Sequence, residues 1–147
     1  MKISMGSDHR GFELKEKIKS LLTGKGHEII DVGCTGTESV DYPDYAFPAA
    51  EMVATGEVER AIVICGTGIG MSIAANKVKG VRAALCSTID DAVMTRRHND
   101  SNVLALSGDR SNDPAVEEIV LQWIATPFDG GRHKRRIDKI SEYERNR

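Results

Sequence analysis

The stretch AIVICGTGIGMS, residues 61–72, constrains the fold most, because it joins an apolar strand, a glycine-rich loop and the start of a helix within a short segment. Residues 61–64 are small or β-prone and apolar, which is typical of a strand buried on both faces. Three glycines, Gly66, Gly68 and Gly70, then lead into a predicted helix over 72–77. A glycine loop at a helix N-terminus presents backbone N–H groups and a positive dipole end, so the sequence predicts an anion site here.

Cys65 stands between the predicted strand and this loop. The N–H groups and the dipole favour a thiolate over a thiol, so Cys65 is a candidate base or nucleophile near neutral pH. The competing interpretation is an inert core cysteine beside a packing turn, as for many cysteines at strand ends. Cys34 and Cys86 are followed by no comparable loop, and we interpret both as structural.

Spacing argues against three known types of loop. A dinucleotide fingerprint needs G-x-G-x-x-G, usually at the first strand, whereas this loop is G-x-G-x-G after the third predicted strand. A Walker A loop ends in Gly-Lys-Ser/Thr, which neither GTGIGMS nor the earlier GSDHRG supplies. A cysteine-dependent phosphatase would need an arginine six positions after Cys65, where Met71 stands. None of these chemistries is expected.

Length and composition indicate one domain over residues 1–147, large enough to bury a core without disulfides or metal. The net charge of -2 gives no general attraction to nucleic acid or membranes and leaves small anionic metabolites as ligands. The three cysteines have no CxxC spacing, the N-terminus has no signal-peptide core, and no apolar run approaches the ~20 residues that span a bilayer. We therefore expect a cytoplasmic protein.

Strand and helix patterns alternate along the chain. The predicted strands cover residues 2–5, 27–32, 61–64, 81–86 and 103–106. The predicted helices follow the first strand up to Gly24 and then cover residues 49–55, 72–77, 87–98, about 113–124, and a basic segment at about 134–144. Ser87 or Thr88 is the expected cap of the fourth helix. Such alternation, with strongly apolar strands, predicts an α/β fold in which helices cover both faces of a five-stranded parallel sheet.

Ligands of such folds bind at the carboxyl ends of the strands, which groups several polar residues. Asp8 and His9 follow the first strand, Cys65 and the glycine loop follow the third, and Asp109 and Arg110 follow the fifth, so all of them should face one crevice. His98 ends the fourth helix, with Asn99 after it, and so belongs to the opposite end of the sheet. It can reach the same crevice only from a second subunit. Each histidine also has a competing interpretation. His9 can be a polar loop residue with no function, and His98 can be a histidine at a helix C-terminus that interacts with the helix dipole.

The segments GSDHRGFELK, ESVDYP, CGTGIGMSIAANK, RAALC, RRHNDSNVLAL and GGRHKRRI occur in this order. Together they resemble the ribose-5-phosphate isomerase B family and the related allose- and galactose-6-phosphate isomerases, from residue 2 to about 140. The resemblance implies a three-layer, Rossmann-like α/β/α sandwich. It also implies a homodimer or dimer of dimers, with active sites shared across the dimer interface and no metal or cofactor.

The resemblance also implies roles for individual residues. Cys65 is the expected base, moving a proton between C1 and C2 of the open-chain sugar through an enediolate. His98 of the partner subunit is expected to protonate the ring oxygen and open the furanose, helped by Asp8. The expected substrate contacts are the backbone of Gly66, Thr67, Gly68, Ile69 and Gly70 for the oxyanion, Tyr42 and Asn99 for the sugar, and His9, Arg132 and Arg136 for the phosphate.

Arg110 is expected to reach the phosphate from the fifth strand, but the loop LSGDR is about one residue longer than the family pattern. A turn or bulge at Ser107–Gly108 that absorbs the extra residue leaves Arg110 aimed at the phosphate, and we favour this outcome. Otherwise Asp109 occupies that place and repels the dianion. The basic helix over 134–144 also contains acidic residues, so we expect a solvated face rather than nucleic-acid binding.

The expected activity is a cofactor-free aldose–ketose isomerisation of ribose 5-phosphate to ribulose 5-phosphate in the pentose phosphate pathway. Two alternatives stay open: an isomerase of allose or galactose 6-phosphate, and a non-catalytic sugar-phosphate binding protein of the same fold. Cys65 with His98 favours an enzyme, because binding alone needs neither a thiolate base nor a ring-opening acid.

Overall fold

A single parallel β-sheet forms the centre of the protein, which a computed structural model describes over residues 1–147. The strands are β1 (Lys2–Ser7), β2 (Glu28–Asp31), β3 (Arg60–Cys65), β4 (Ala83–Leu85) and β5 (Val103–Ser107). Their order across the sheet is β2-β1-β3-β5-β4, and every neighbouring pair is parallel. The predicted five-stranded parallel sheet is confirmed.

Helices follow or precede every strand. They are α1 (Phe12–Gly24), α2 (Pro43–Ala54), α3 (Ile69–Ala75), α4 (Ile89–Asn99), α5 (Ala115–Ala125) and α6 (Arg132–Arg145). A short 3-10 turn, Gly108–Arg110, follows β5. The Thr88 hydroxyl accepts the backbone N–H of Asp91, and the Asp91 carboxylate accepts the N–H of Thr88, which confirms the expected cap of α4.

Two hydrophobic cores lie on opposite faces of the sheet. One contains Ile18 of α1, Ala92 of α4 and Trp123 of α5, and the other contains Ala50 of α2 and Ala75 of α3. β3 serves both cores, because Ile62 and Ile64 belong to the first, while Ala61, Val63 and Cys65 belong to the second. The three-layer α/β/α arrangement is therefore confirmed. The smaller side chains of the second core bring α2 and α3 close to the strand that carries Cys65.

Several predicted boundaries were wrong. α2 begins at Pro43, earlier than the predicted residue 49, because proline suits the first turn of a helix even inside the turn-rich DYPDY segment. α3 begins at Ile69 rather than residue 72, directly after Gly68, and α6 begins at Arg132 rather than about 134. β4 covers only Ala83–Leu85 of the predicted 81–86.

β4 forms one edge of the sheet, and the side chain of Asn76 pairs with it. The Ala83 N–H donates to Asn76 Oδ1 at 2.8 Å, and Asn76 Nδ2 donates to the Ala83 carbonyl at 3.0 Å. The outward-facing backbone groups of Ala83 are thus satisfied within the chain.

None of the helices is both long and apolar enough to span a membrane.

Candidate active site

Residues at the carboxyl ends of β1 and β3, together with Tyr42 directly before α2, form a group that we call the thiol cluster: Asp8, His9, Tyr42, Cys65 and the loop Gly66–Gly70. Cys65 is the last residue of β3, beside Ser107 of β5, and only 5% of it is exposed. The Ser107 hydroxyl donates to the Gly66 carbonyl at 2.7 Å. Strand pairing and this hydrogen bond fix the backbone on both sides of the thiol.

The glycine loop turns sharply at Gly68, whose φ is 81°. A Cβ at this position would lie 2.9 Å from the backbone of Leu106, so glycine is required both for the conformation and for the close approach to β5. The turn starts α3 at Ile69, and the Thr67 hydroxyl accepts the N–H of Ile69 at 3.2 Å. The loop therefore brings the first turn of α3, with its backbone N–H groups, next to the thiol.

Asp8 and His9 are fixed by the backbone around them. Asp8 Oδ1 accepts the N–H groups of Arg10 and Gly11, both at 3.0 Å, so Oδ2 remains for another partner. The Val40 N–H donates to His9 Nδ1 at 3.2 Å. An accepting Nδ1 carries no proton, so the neutral ring holds its proton on Nε2, where it can donate to an anion.

Tyr42 lies directly before α2 and packs against the far side of the glycine loop. A Cβ on Gly70 would be 2.7 Å from Tyr42 Cζ, so the ring lies over this glycine. The Tyr42 side chain is still partly exposed. The structure therefore places the thiol, the glycine loop, Asp8 and His9 at one end of the sheet, where the strand-end prediction put them, and Tyr42 joins them from the start of α2.

A second group, the imidazole cluster, lies where α4 ends and α6 begins. It consists of His98, Asn99, Arg132, His133 and Arg136. The rings of His98 and His133 are stacked, with centroids 4.2 Å apart and an angle of 12° between their planes. Arg132 and Arg136 are exposed and form no ion pair within the chain. Burial lowers the pKa of His133, and the charges of His98, Arg132 and Arg136 lower it further.

Contacts between α4 and the segment before α6 hold the imidazole cluster together. Arg97 Nε donates to Asp129 Oδ2 at 3.1 Å, and the Asp129 N–H donates to the Arg97 carbonyl at 3.1 Å. His98, Asp129 and His133 also bring possible metal-ligand atoms within 4.8 Å of one another. Because Arg97 already binds Asp129 and two further arginines lie beside the histidines, the charge of this cluster favours an anion over a metal cation.

The two clusters lie at opposite ends of the sheet. α4 ends at Asn99, and Asn102, just before β5, accepts the N–H of Ala61 at the beginning of β3. Cys65 is at the other end of this six-residue strand, roughly 13 Å from Ala61 at about 3.3 Å per residue. The structure thus divides the predicted phosphate contacts: His9 lies in the thiol cluster, while Arg132 and Arg136 lie in the imidazole cluster.

Arg110 and Asp109 belong to the 3-10 turn after β5 and have different partners. Arg110 Nη2 donates to Asp113 Oδ2 at 2.7 Å, and Nη1 donates to the Ser87 carbonyl at 2.6 Å. Asp109 instead accepts from Arg10 Nη2 at 2.6 Å. The residues after β5 form a 3-10 turn in which Arg110 is held by Asp113 and Ser87 within the chain, so its contact with the phosphate stays a prediction.

Sequence reasoning assigned no role to Arg10 or His133. Arg10 directly follows His9, and His133 lies within the GGRHKRRI segment, so the signals were their positions beside predicted phosphate contacts. The thiol of Cys86 fits its structural interpretation, because burial, with the Asp91 charge, raises its pKa to about 12. Cys34 is also buried and unpaired, and its thiol contacts the Gly36 carbonyl at 3.3 Å.

The sequence matches known proteins over nearly its whole length. The sequence model of the ribose/galactose isomerase family matches residues 3–140. A putative sugar phosphate isomerase of Bacillus subtilis is 55% identical over 146 residues, which cover 98% of this chain and 97% of that protein. Ribose-5-phosphate isomerase B of Escherichia coli is 45% identical over 146 residues, covering 99% of this chain and 98% of that protein.

Solved structures agree with these matches. Ribose-5-phosphate isomerase B from Clostridium thermocellum has a TM-score of 0.97 at 51% identity, covering 99% of each chain. The enzyme of that name from Mycoplasma genitalium, solved with bound ribulose-5-phosphate, has a TM-score of 0.94 at 42% identity, covering 99% of this chain and 97% of that chain. Agreement of this extent in sequence and fold shows that the chain belongs to the ribose/galactose isomerase family.

Proposed function

We propose that this protein interconverts ribose 5-phosphate and ribulose 5-phosphate, with Cys65 as the base. The observation that carries the proposal is a thiol fixed at the end of β3, against a glycine loop that starts a helix. The relatives named ribose-5-phosphate isomerase B, one of them with ribulose-5-phosphate bound, support this substrate. The pentose phosphate pathway and the cytoplasm follow as the proposed setting.

The proposed chemistry is a proton transfer between neighbouring carbons. The Cys65 thiolate removes the proton from C2 of the open-chain aldose, and negative charge develops on the C1 oxygen of the enediolate. The hydroxyl proton then moves from O2 to O1, and return of the abstracted proton to C1 gives the ketose. Backbone N–H groups of Gly66–Gly70 stabilise the developing charge by about 3 kcal/mol for each donor. One carbon is oxidised as its neighbour is reduced, so the proposed reaction requires no cofactor or metal.

The separation of the two clusters supports a site shared between two copies of the chain. Ring opening needs an acid near the ring oxygen, and His98 is the proposed acid, with Asp8 as its helper. Because His98 lies a strand length from Cys65 in its own chain, we propose that it acts on the sugar bound at the partner's thiol cluster. Arg132 and Arg136 then join His9 around the phosphate, and Asn99 and Tyr42 contact the sugar.

A substrate panel tests the proposed function. We expect kcat/KM for ribose 5-phosphate to exceed that for allose 6-phosphate and galactose 6-phosphate. The margin should be moderate, because a pocket discriminates one extra carbon by only about 1–3 kcal/mol. A higher kcat/KM on either hexose phosphate would assign the protein to the hexose branch of the family, and binding without turnover of all three would refute catalysis.

A further inference from the structure

The side chain of Arg10 lies over the first glycine of the loop. Arg10 follows Asp8 and His9 in the sequence. Its backbone N–H donates to Asp8 Oδ1, and this hydrogen bond holds the Arg10 backbone in place. A Cβ on Gly66 would collide with Arg10 Cζ and would lie 2.5 Å from Nε and Nη1. Gly66, the residue after Cys65, therefore leaves the space that the Arg10 guanidinium fills.

Asp109 holds the other side of this guanidinium. Arg10 Nη2 donates to Asp109 Oδ2 at 2.6 Å, and the Asp109 N–H donates to the Gly66 carbonyl at 3.1 Å. Arg10 and Asp109 are 54% and 50% exposed, and ion pairs this exposed add little to stability. The Arg10–Asp109 ion pair therefore contributes little to the folding stability of the protein. Only one of the five N–H donors of Arg10 has a partner in the chain, so most remain available to an anion.

Arg110 has a different arrangement, because three of its five N–H donors are already used. Nε and Nη2 donate to Asp113 Oδ2, and Nη1 donates to the Ser87 carbonyl. Asp113 Oδ1 also accepts the N–H of Ala115 at the start of α5. While Arg110 holds Asp113 and Ser87, only one N–H group on each of Nη1 and Nη2 remains for a phosphate.

The charges beside the glycine loop also favour Arg10 over Arg110 as the residue that meets an anion. Asp109 places a carboxylate beside the glycine loop, where it would repel a dianionic substrate if it stood alone. The guanidinium of Arg10 neutralises this charge and still has free donors. A planar guanidinium with parallel donors is also well suited to bind phosphate oxygens.

We propose that Arg10, held over Gly66 by Asp109, binds the phosphate of the substrate in place of Arg110. Asp109 is then a positioning residue that acts through Arg10. This inference rests on the proposed function, since it assigns one more contact to the same sugar phosphate.

The test combines single and double variants with two readouts, KM for ribose 5-phosphate and calorimetric affinity for inorganic phosphate. Arg10→Ala should raise KM at least about fivefold and weaken phosphate binding by a similar factor, as loss of a charge-assisted contact predicts. Asp109→Asn should weaken both in the native background, because Arg10 is no longer held. In the Arg10→Ala background the same change should strengthen both, because the lone carboxylate no longer repels the anion.

The matched control is Lys17→Ala, which removes one positive charge from α1, where Lys17 pairs with Glu13 at 3.6 Å. We expect it to change either readout less than twofold, and Arg10→Ala should leave the melting temperature nearly unchanged. The inference is overturned if Arg10→Ala changes neither readout, if Arg110→Ala causes the larger loss, or if Asp109→Asn has the same sign in both backgrounds. Absence of ribose 5-phosphate turnover in the native protein would refute the proposed function, whereas the phosphate affinities would still decide the role of Arg10.

Discussion

The thiol cluster and the imidazole cluster are assembled in different ways. Cys65 and the loop after it are positioned by strand pairing and by glycines that allow close backbone approach. His98 and His133 are positioned by contacts between the end of one helix and the start of another, through ring stacking and the Arg97–Asp129 pair. The proposed base is therefore placed by a rigid strand end, whereas the proposed acid and the arginines proposed as phosphate contacts depend on how α6 packs against α4.

Removal of the Cys65 thiol should give the largest effect. Cys65→Ala should lower kcat for ribose 5-phosphate at least about 10³-fold, as expected when the base of a proton transfer is lost. Binding of the sugar phosphate, measured by calorimetry, should change only slightly, because the proposed phosphate contacts are other residues.

Cys86→Ala is the matched control for this variant. Its thiol is buried, with a pKa raised to about 12, so its loss should alter stability and leave kcat unchanged. Substantial turnover by Cys65→Ala would remove Cys65 from the role of base and leave the thiol cluster as a binding site.

Mixed dimers test whether the two clusters of different copies form one site. Cys65→Ala and His98→Asn proteins should each be inactive. After equal mixing and subunit exchange, up to about a quarter of native activity should return, because half of the dimers are mixed and each has one intact site of two. Exchange verified by mass spectrometry with no return of activity would contradict the shared site. The open-chain aldehyde form of the substrate should partly restore turnover by His98→Asn alone.

Gly68→Ala tests the rigidity of the thiol cluster. Its φ of 81° and the 2.9 Å approach to the Leu106 backbone should together cost at least about 1–2 kcal/mol of unfolding free energy. Gly24→Ala is the matched control, because a Cβ at Gly24 meets no atom within 4 Å and the residue lies in the last turn of α1. Chemical denaturation should show a loss for Gly68→Ala and no loss for Gly24→Ala. Equal stability of the two variants would mean that the loop adapts to a side chain.

The smallest expected effect is a pH dependence that arises in the imidazole cluster. Burial, followed by the charges of His98 and the neighbouring arginines, lowers the pKa of His133 in the folded protein. The unfolded chain therefore binds the proton more readily, so this contribution to stability is present above about pH 6.5 and is lost as the pH falls through the folded pKa. Between about pH 7.5 and pH 5, the melting temperature of the native protein should fall more than that of His133→Asn. An equal fall in the melting temperatures of the native protein and of His133→Asn would show that His133 is not the source of the pH dependence.

The thiol cluster could be predicted because its members lie close to strand ends in the sequence. The apolar run before Cys65 and the glycines after it indicated the strand, the turn and the helix, and Asp8 and His9 follow another strand directly. The same reasoning placed His98 at the opposite end of the sheet, as the structure shows. The early start of α2 at Pro43 was missed, because turn-forming residues also suit the first turn of a helix.

The parts that could not be predicted depend on contacts between distant segments. The position of Arg10 requires the space above Gly66 and the carboxylate of Asp109, which belongs to the loop after the last strand. Burial of His133 requires the packing of α6 on α4. No local pattern of apolar residues or glycines reports such contacts, so these residues were recognised only in three dimensions.

The Asn76 side chain on β4 restricts how copies of this chain can associate. A strand edge with free N–H and carbonyl groups is a template for another chain, and edge-to-edge pairing leads to aggregation. Asn76 occupies the outward-facing groups of Ala83 like a short piece of an extra strand. An incoming strand at this position would have to displace two hydrogen bonds before it formed any, which favours contact between copies through helices and loops over extension of the sheet at β4.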